Sequence, residues 1–364
     1  MPKRWFLTPL SWLYGLVTDI RNHLYDSGTL SSESFPLPVI CVGNLTVGGT
    51  GKTPHTDHLI RLLKDSHRVA FLSRGYRRKS KGFRLADTNC TACDIGDEPY
   101  QVWLNHPDIY VAVDADRRNG IKRLLNASQT ADTQVVLLDD AYQHRRVRPG
   151  LSILLCDYNR MPYDDHLLPL GRLRETFPNR YRADIIVVTK CPPDMQPIDF
   201  RVVLNHLAPK ANQKVFFSTY DYGVPIPFSQ WKQARSTGKK PLTPGTQVLL
   251  LTGIAQPQSL VQYLKGKTGR TEVLSYPDHH NFVQADIKKA VRQFNRLNAA
   301  SDRRIVLTEK DAARLVHDSK LQALLPAETY VLPVQVHFLL NQQQTFNNII
   351  TDYVRKNSAH GSVH

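Results

Sequence analysis

Short apolar runs alternate with helical patterns through the first two thirds of the chain. Val39–Val42, Val69–Leu72, Tyr110–Val113, Val135–Leu138, Ile153–Cys156 and Ile185–Val188 are apolar throughout rather than at every second position. Continuous apolarity predicts strands covered on both faces, as in a parallel sheet flanked by helices. The expected fold class is therefore α/β, with a mostly parallel sheet sandwiched by helices over residues 31–218. Residues 219–245, rich in Pro, Gly, Lys and Ser, read as a linker. A second, smaller α/β unit is expected over 246–328, with strands near Val248–Leu251, Val273–Tyr276 and Ile305–Leu307. Thr329–Phe338 reads as extended and able to pair back with Lys214–Ser218 as a hinge. The stretch 329–357 then returns to the first unit through a helix near Asn341–Lys356, and 358–364 reads as a disordered tail.

Near the N-terminus, Leu10, Leu13, Val17, Ile20 and Leu24 recur at helical spacing after Thr8-Pro9, a cap and first turn. Residues 1–30 thus form an amphipathic helix. Trp5, Phe6 and Trp12 add aromatic rings, and Lys3, Arg4 and Arg21 add positive charge. That combination suits a helix lying on a membrane; packing on its own domain is the competing reading. No run reaches the ~20 apolar residues that a spanning helix needs.

Charge narrows the partners. Against 32 acidic residues stand 47 basic ones, a net +15, which suggests nucleic acid, an acidic lipid surface or a phosphorylated substrate. No helicase motif or aromatic-basic array accompanies it, so nucleic acid is not expected. The five cysteines, at 41, 90, 93, 156 and 191, are an odd count suited to a reducing compartment. Cys90 and Cys93 form one C-x-x-C without the second pair that a zinc site wants.

The run from Cys41 to Thr53 carries the chemistry: an apolar strand, then Gly48-Gly49-Thr50-Gly51-Lys52-Thr53, then a helix. Glycines let backbone N–H groups turn toward phosphate oxygens, Lys52 adds charge, and Thr53 offers a hydroxyl to Mg²⁺. Thr46 stands where the usual motif has its first glycine. Val135–Leu138 followed by Asp139-Asp140 reads as a Walker B strand, whose carboxylates would hold Mg²⁺ opposite Thr53. Gly96-Asp97-Glu98-Pro99 precedes a helix; its acids suit either a helix start or acceptance of a hydroxyl proton. Arg74, Arg77 and Arg78 follow the second strand, and Arg117 and Arg118 the third, as charge for a triphosphate or a substrate phosphate. In Asp278-His279-His280 adjacent histidines point apart, so an Asp–His pair tuning a catalytic group is favoured over a shared metal.

Together these runs resemble the tetraacyldisaccharide 4'-kinase family of lipid A biosynthesis in Gram-negative bacteria. The resemblance rests on Gly43–Pro54, Leu72–Tyr76, Gly96–Pro99, Asp139–Arg145, Leu168–Glu175, Asp278–His280 and Thr308–Ala312, in that order. It implies transfer of the γ-phosphoryl group of ATP to the 4'-hydroxyl of an acylated glucosamine disaccharide 1-phosphate lipid, giving lipid IVA and ADP. By that similarity Asp97 is the base, assisted by His279 after domain closure, and Lys52 holds phosphates. Thr53 with Asp139 or Asp140 would serve magnesium, while Arg74, Tyr76, Arg117 and His144 line the phosphate or sugar region. The resemblance also implies a peripheral enzyme on the cytoplasmic face of the inner membrane, with no obligate protein partner. This chain departs from some members at Lys190, where they carry asparagine, and at Leu170, where the residue is usually smaller. The rival readings are a P-loop ATPase or GTPase of the metal-chaperone or partitioning kind, without a lipid acceptor, and a nucleic-acid-binding ATPase.

Overall fold

The computed structural model describes residues 5–231 and 238–358. In chain order its strands are β1 (Val39–Gly43), β2 (Val69–Ser73), β3 (Arg84–Leu85), β4 (Tyr110–Val113), β5 (Val135–Asp139), β6 (Leu151–Asp157) and β7 (Ile185–Thr189). They continue as β8 (Lys214–Tyr222), β9 (Ile226–Pro227), β10 (Thr246–Thr252), β11 (Arg270–Ser275), β12 (Asp302–Thr308), β13 (Thr329–Leu332) and β14 (Val334–Phe338). The apolar runs lie at the centre: every residue of β1, β2, β5 and β7 is buried.

The larger sheet has nine strands in the order β14-β8-β7-β6-β1-β5-β2-β4-β3. From β8 to β4 every pairing is parallel, and antiparallel β14 and β3 close the edges. Register fixes the site. Val39 faces Val136 and Val42 faces Asp139, so β1 and β5 release their loops side by side. β1 lies between β5 and β6, a point where successive connections leave in opposite directions and ligands bind beyond the strand ends. Helices Lys52–Leu63 and Gln343–Ser358 cover one face through Leu59, Leu63, Phe346 and Ile350. Ile121, Leu124, Val203 and Leu207 help cover the other. Each such fully buried side chain contributes roughly 1.5–3 kcal/mol.

The smaller sheet has five strands in the order β11-β10-β12-β13-β9. Its core is continuous with part of the first unit: Ile95 and Tyr100 share a cluster with Leu251, Phe294 and Ala312. Helices Asp97–Asn105 and Glu309–Leu315 therefore pack across the boundary between the sheets.

Two boundary expectations need correction. Residues 219–245 are not all linker. The run Thr219–Tyr222 extends β8, and Ile226–Pro227 forms β9 on the edge of the smaller sheet, a place where proline's missing N–H costs nothing. Likewise 329–338 is not one return strand. Pro333 interrupts it, so β13 pairs with β12 in the smaller sheet while β14 pairs with β8 in the larger. The expected pairing with Lys214–Ser218 occurs only at its end, Phe338 with Ser218, and runs on to Val334 with Tyr222. The chain thus crosses between the sheets twice at neighbouring points, tied where Gly223 N–H donates to the Pro333 carbonyl at 3.0 Å.

The N-terminal helix is Thr8–Asp26. Thr8 lies inside it rather than capping it; Leu7 is the cap residue and Pro9 sits in the first turn, where a missing N–H is harmless. Its small and polar positions face the protein. Ser11 Oγ donates to the Leu167 carbonyl (2.9 Å), Tyr14 Oη to the Arg174 carbonyl (3.0 Å) and Asn22 Nδ2 to Asn179 Oδ1 (3.0 Å). Leu10, Trp12, Leu13, Leu16, Val17 and Ile20 face outward, each more than half exposed. No described helix is long and apolar enough to cross a membrane. Lys3, Arg4 and residues 359–364 of the expected tail lie outside the described residues, while Ser358 ends the last helix.

Candidate active site

A cleft of about 950 Å³ opens at the carboxyl ends of β1, β2, β5 and β7 and beneath the smaller sheet. It gathers Gly48 to Thr53, Arg74, Tyr76, Asp97, Arg117, Asp139, Asp140, His144 and His279, whereas Arg77, Arg78 and Arg118, also expected as charge for a phosphate, do not line it.

The phosphate loop is braced from three sides. Arg174 N–H donates to the Leu45 carbonyl (2.7 Å) and Val47 N–H to the Arg172 carbonyl (2.8 Å). Asn44 Nδ2 holds Thr50 Oγ1 at 2.8 Å, and Thr189 Oγ1 donates to the Thr50 carbonyl at 2.8 Å. Gly51 has φ 89°, a left-handed turn that starts helix Lys52–Leu63. A Cβ there would sit 2.4 Å from Tyr220 Oη, so glycine is required twice over. Beneath it His55 places Nδ1 2.7 Å from the Gly51 carbonyl and Nε2 2.9 Å from Ser218 Oγ.

Beyond β5 the two acids differ. Asp140 adopts φ 46° and pairs with Lys52 at 3.5 Å and with Arg174 at 2.9 Å. Burial opposes ionisation of Asp140, but those two cations outweigh it and hold its pKa below the ordinary value. Asp139 is buried and accepts from Ser73 Oγ at 3.3 Å. Burial, then Glu98 and Asp140, push its pKa up. The Asp139 and Asp140 carboxylates and the Thr53 hydroxyl line one cleft and offer an all-oxygen donor set of the kind a hard divalent ion takes. Among the described residues no three His, Cys, Asp or Glu side chains make a ready-built metal cage. Of the C-x-x-C pair, Cys90 is buried and Cys93 exposed.

Across the cleft, Asp97 opens helix Asp97–Asn105. Its Oδ2 accepts from Arg314 Nε at 2.9 Å and lies 3.2 Å from His279 Nδ1. Burial alone would raise its pKa, yet His279 and Arg314 hold it down at about 2. His279, itself left-handed at φ 59°, carries Tyr76 against its ring with centroids 5.5 Å apart. Lys310 bridges Glu98 at 3.2 Å and Asp278 at 3.4 Å. Asp97 and His279 are thus already in contact.

One placement corrects the sequence reading. Arg117 reaches the cleft wall, but its guanidinium donates to the backbone carbonyls of Asp114, Ala115, Asp139 and Asp140, and the residue is buried. It is a strut behind the acidic strand end rather than a free phosphate ligand. Arg74 is exposed at the cleft, and His144 lies 3.4 Å from Asp116.

The sequence model of the tetraacyldisaccharide-1-P 4'-kinase family matches residues 3–355. The chain belongs to this family. It is 47% identical over 362 residues to a tetraacyldisaccharide 4'-kinase of Bacteroides thetaiotaomicron, covering 98% of this chain and 95% of that one. A namesake from Flavobacterium johnsoniae is 47% identical over 354 residues, covering 97% and 98%. The crystal structure of LpxK from Aquifex aeolicus in complex with ATP superposes with a TM-score of 0.71 at 27% identity, covering 96% of this chain and 99% of that one. ATP binding on a P-loop-type α/β scaffold follows for this family member, and the readings without a lipid acceptor are not favoured.

Several groups at the site escaped the sequence reading as site residues. Glu98, Arg174 and Lys310 sit inside the runs that carried the resemblance, next to residues that were singled out. Arg314 had a weaker signal, one helical turn beyond Asp311.

Proposed function

We infer that this kinase transfers the γ-phosphoryl group of ATP to the 4'-hydroxyl of a tetraacylated glucosamine disaccharide 1-phosphate, giving lipid IVA and ADP. The observation that carries the reading is the meeting of Asp97, at the start of its helix, and His279, in the loop after β11, in the cleft that also holds the phosphate loop. Amides of Gly48 to Gly51 and the Lys52 ammonium suit the ATP phosphates. Thr53, Asp139 and Asp140 are the residues to hold Mg²⁺, which when bound neutralises charge on the β- and γ-phosphates. Asp97 accepts the hydrogen bond of the attacking hydroxyl, and His279 orients that carboxylate and balances its charge. Arg314, anchored to Gly253 and Asp311, fixes the carboxylate plane. Arg74 and Tyr76 face the sugar side, with His144 near the phosphates.

The lipid acceptor gives the N-terminal helix a purpose. Its polar face is fastened to the protein and its apolar face is bare, the arrangement of a helix that inserts shallowly into a leaflet. A net charge of +15 favours an anionic surface, here the cytoplasmic face of the inner membrane. Purified protein incubated with labelled ATP and the acylated disaccharide 1-phosphate in detergent should yield a doubly phosphorylated lipid. ADP release without labelled lipid would reject the reading.

A further inference from the structure

Lys190 follows β7 in a left-handed conformation, φ 57°, which a non-glycine residue rarely holds unless its surroundings impose it. Its ammonium has three protons, and three acceptors take them. They are the Gly49 carbonyl of the phosphate loop, Asp157 Oδ2 at the end of β6 (2.8 Å), and Gln256 Oε1 in the loop after β10 (2.6 Å). The Lys190 and Asp157 side chains are 9% and 3% exposed, so this is a built site and not a surface contact. Gly49 and Asp157 belong to the larger unit, in the phosphate loop and at the end of β6, and Gln256 to a loop of the smaller one.

Thr189 and Lys190 grip consecutive carbonyls, Thr50 and Gly49. In a trans peptide the N–H points opposite to the C=O. Anchoring both carbonyls at β7 therefore turns the Thr50 and Gly51 N–H groups away from it. Without Lys190 nothing among the described residues is seen to hold the Gly49 carbonyl, and that peptide keeps only the bond from Thr50 N–H to the Gly48 carbonyl at 3.1 Å.

We propose that Lys190 is a positioning residue that couples the phosphate loop to the smaller sheet, one ammonium setting the Gly49 peptide and holding the Gln256 loop against it. The coupling deepens the kinase reading and rests on it. Gln256 then acts on catalysis only through Lys190. Loop shape governs ATP affinity, and the Gln256 arm governs how firmly the second sheet, which carries His279, sits over Asp97.

The test is a double-mutant cycle on the full-length enzyme, with ATP and lipid kinetics for wild type, K190M, Q256A and K190M/Q256A. Wild-type lipid phosphorylation is the control; if it is absent, the kinase reading fails and not the coupling. Expected are a KM for ATP raised about 10-fold in K190M and a kcat lowered 3- to 5-fold in Q256A with KM for ATP within twofold. The double variant should match K190M within twofold. K190R, which keeps the charge, should recover part of the KM. Should K190M fail to fold because Asp157 is left as a buried, unpaired carboxylate, the same comparison is run in D157N/K190M. Losses that multiply in the double variant, or a KM for ATP unchanged in K190M, overturn the proposal.

Discussion

Replacing Asp97 should separate chemistry from nucleotide binding. Both of its partners, Arg314 and His279, land on Oδ2, which leaves Oδ1 to meet a hydroxyl. A carboxyl held at about 2 is ionised at neutral pH but only weakly basic. Its share of catalysis then falls toward the lower part of the general-base range, about 10²–10³ of the usual 10²–10⁴. Neither partner touches the phosphate loop, so the ATP dissociation constant should move less than about threefold in Asp97→Ala while turnover falls by that factor. Asp97→Asn keeps the shape and an acceptor oxygen but removes the charge, and should lose nearly as much. Lys52→Ala is the contrast. Its ammonium balances Asp140 at 3.5 Å and, on the proposed function, holds the ATP phosphates, so affinity and turnover should fall together. Single-turnover transfer of labelled phosphate to the lipid gives the rate, and calorimetry gives ATP affinity. An Asp97→Asn enzyme with more than about a tenth of wild-type turnover, or parallel loss of ATP affinity in Asp97→Ala, would refute the assignment of Asp97 as base.

Three further outcomes follow from packing and charge. Gly51→Ala forces an L-residue into φ 89° and a Cβ to 2.4 Å from Tyr220 Oη. The strain of about 1–2 kcal/mol plus that clash should weaken ATP binding about 10- to 10²-fold, and Tyr220→Phe added to it should restore part of the loss; no recovery would show that the hydroxyl is not the obstacle. Leu13→Glu with Val17→Glu, both on the bare face of the helix, should weaken binding to anionic vesicles about 10²-fold, read by flotation; unchanged flotation would end the membrane role. Burial lowers the His55 pKa from 6.5 to about 4, so the unfolded chain takes up a proton there first as pH falls. The stability this gives is whole above pH 6.5 and drains away between 6.5 and 4, by up to about 3 kcal/mol. Urea midpoints at pH 7.5 and 4.5 should therefore differ less in His55→Gln than in wild type, and an equal difference would reject the burial argument.

How much of this was legible depended on the range of the interaction. The strands β1, β2, β5 and β7 could be read because double-sided burial demands apolarity at every position. The phosphate loop and the Asp139-Asp140 turn could be read because their chemistry is local. Arg314 and Lys190 could not. Their partners Asp97 and Gln256 are distant in the chain and are brought near only by how the two sheets meet. Pro333 was visible, but a missing N–H says only that a ladder stops, not that the chain changes sheets there. The N-terminal helix shows the limit most sharply. Its period fixed the apolar stripe, yet period is blind to which side is covered. What decides the direction is the opposite stripe. Gly15 lets Leu167 approach so closely that a Cβ would stand 2.7 Å from it, and Ser11, Tyr14 and Asn22 each find a partner between Leu167 and Asn179. That same segment supplies Arg174 to Asp140 and the bonds that brace Leu45 and Val47. The helix is therefore held by the piece of chain that shapes the phosphate loop, and its outward apolar face is the consequence of an inward polar one.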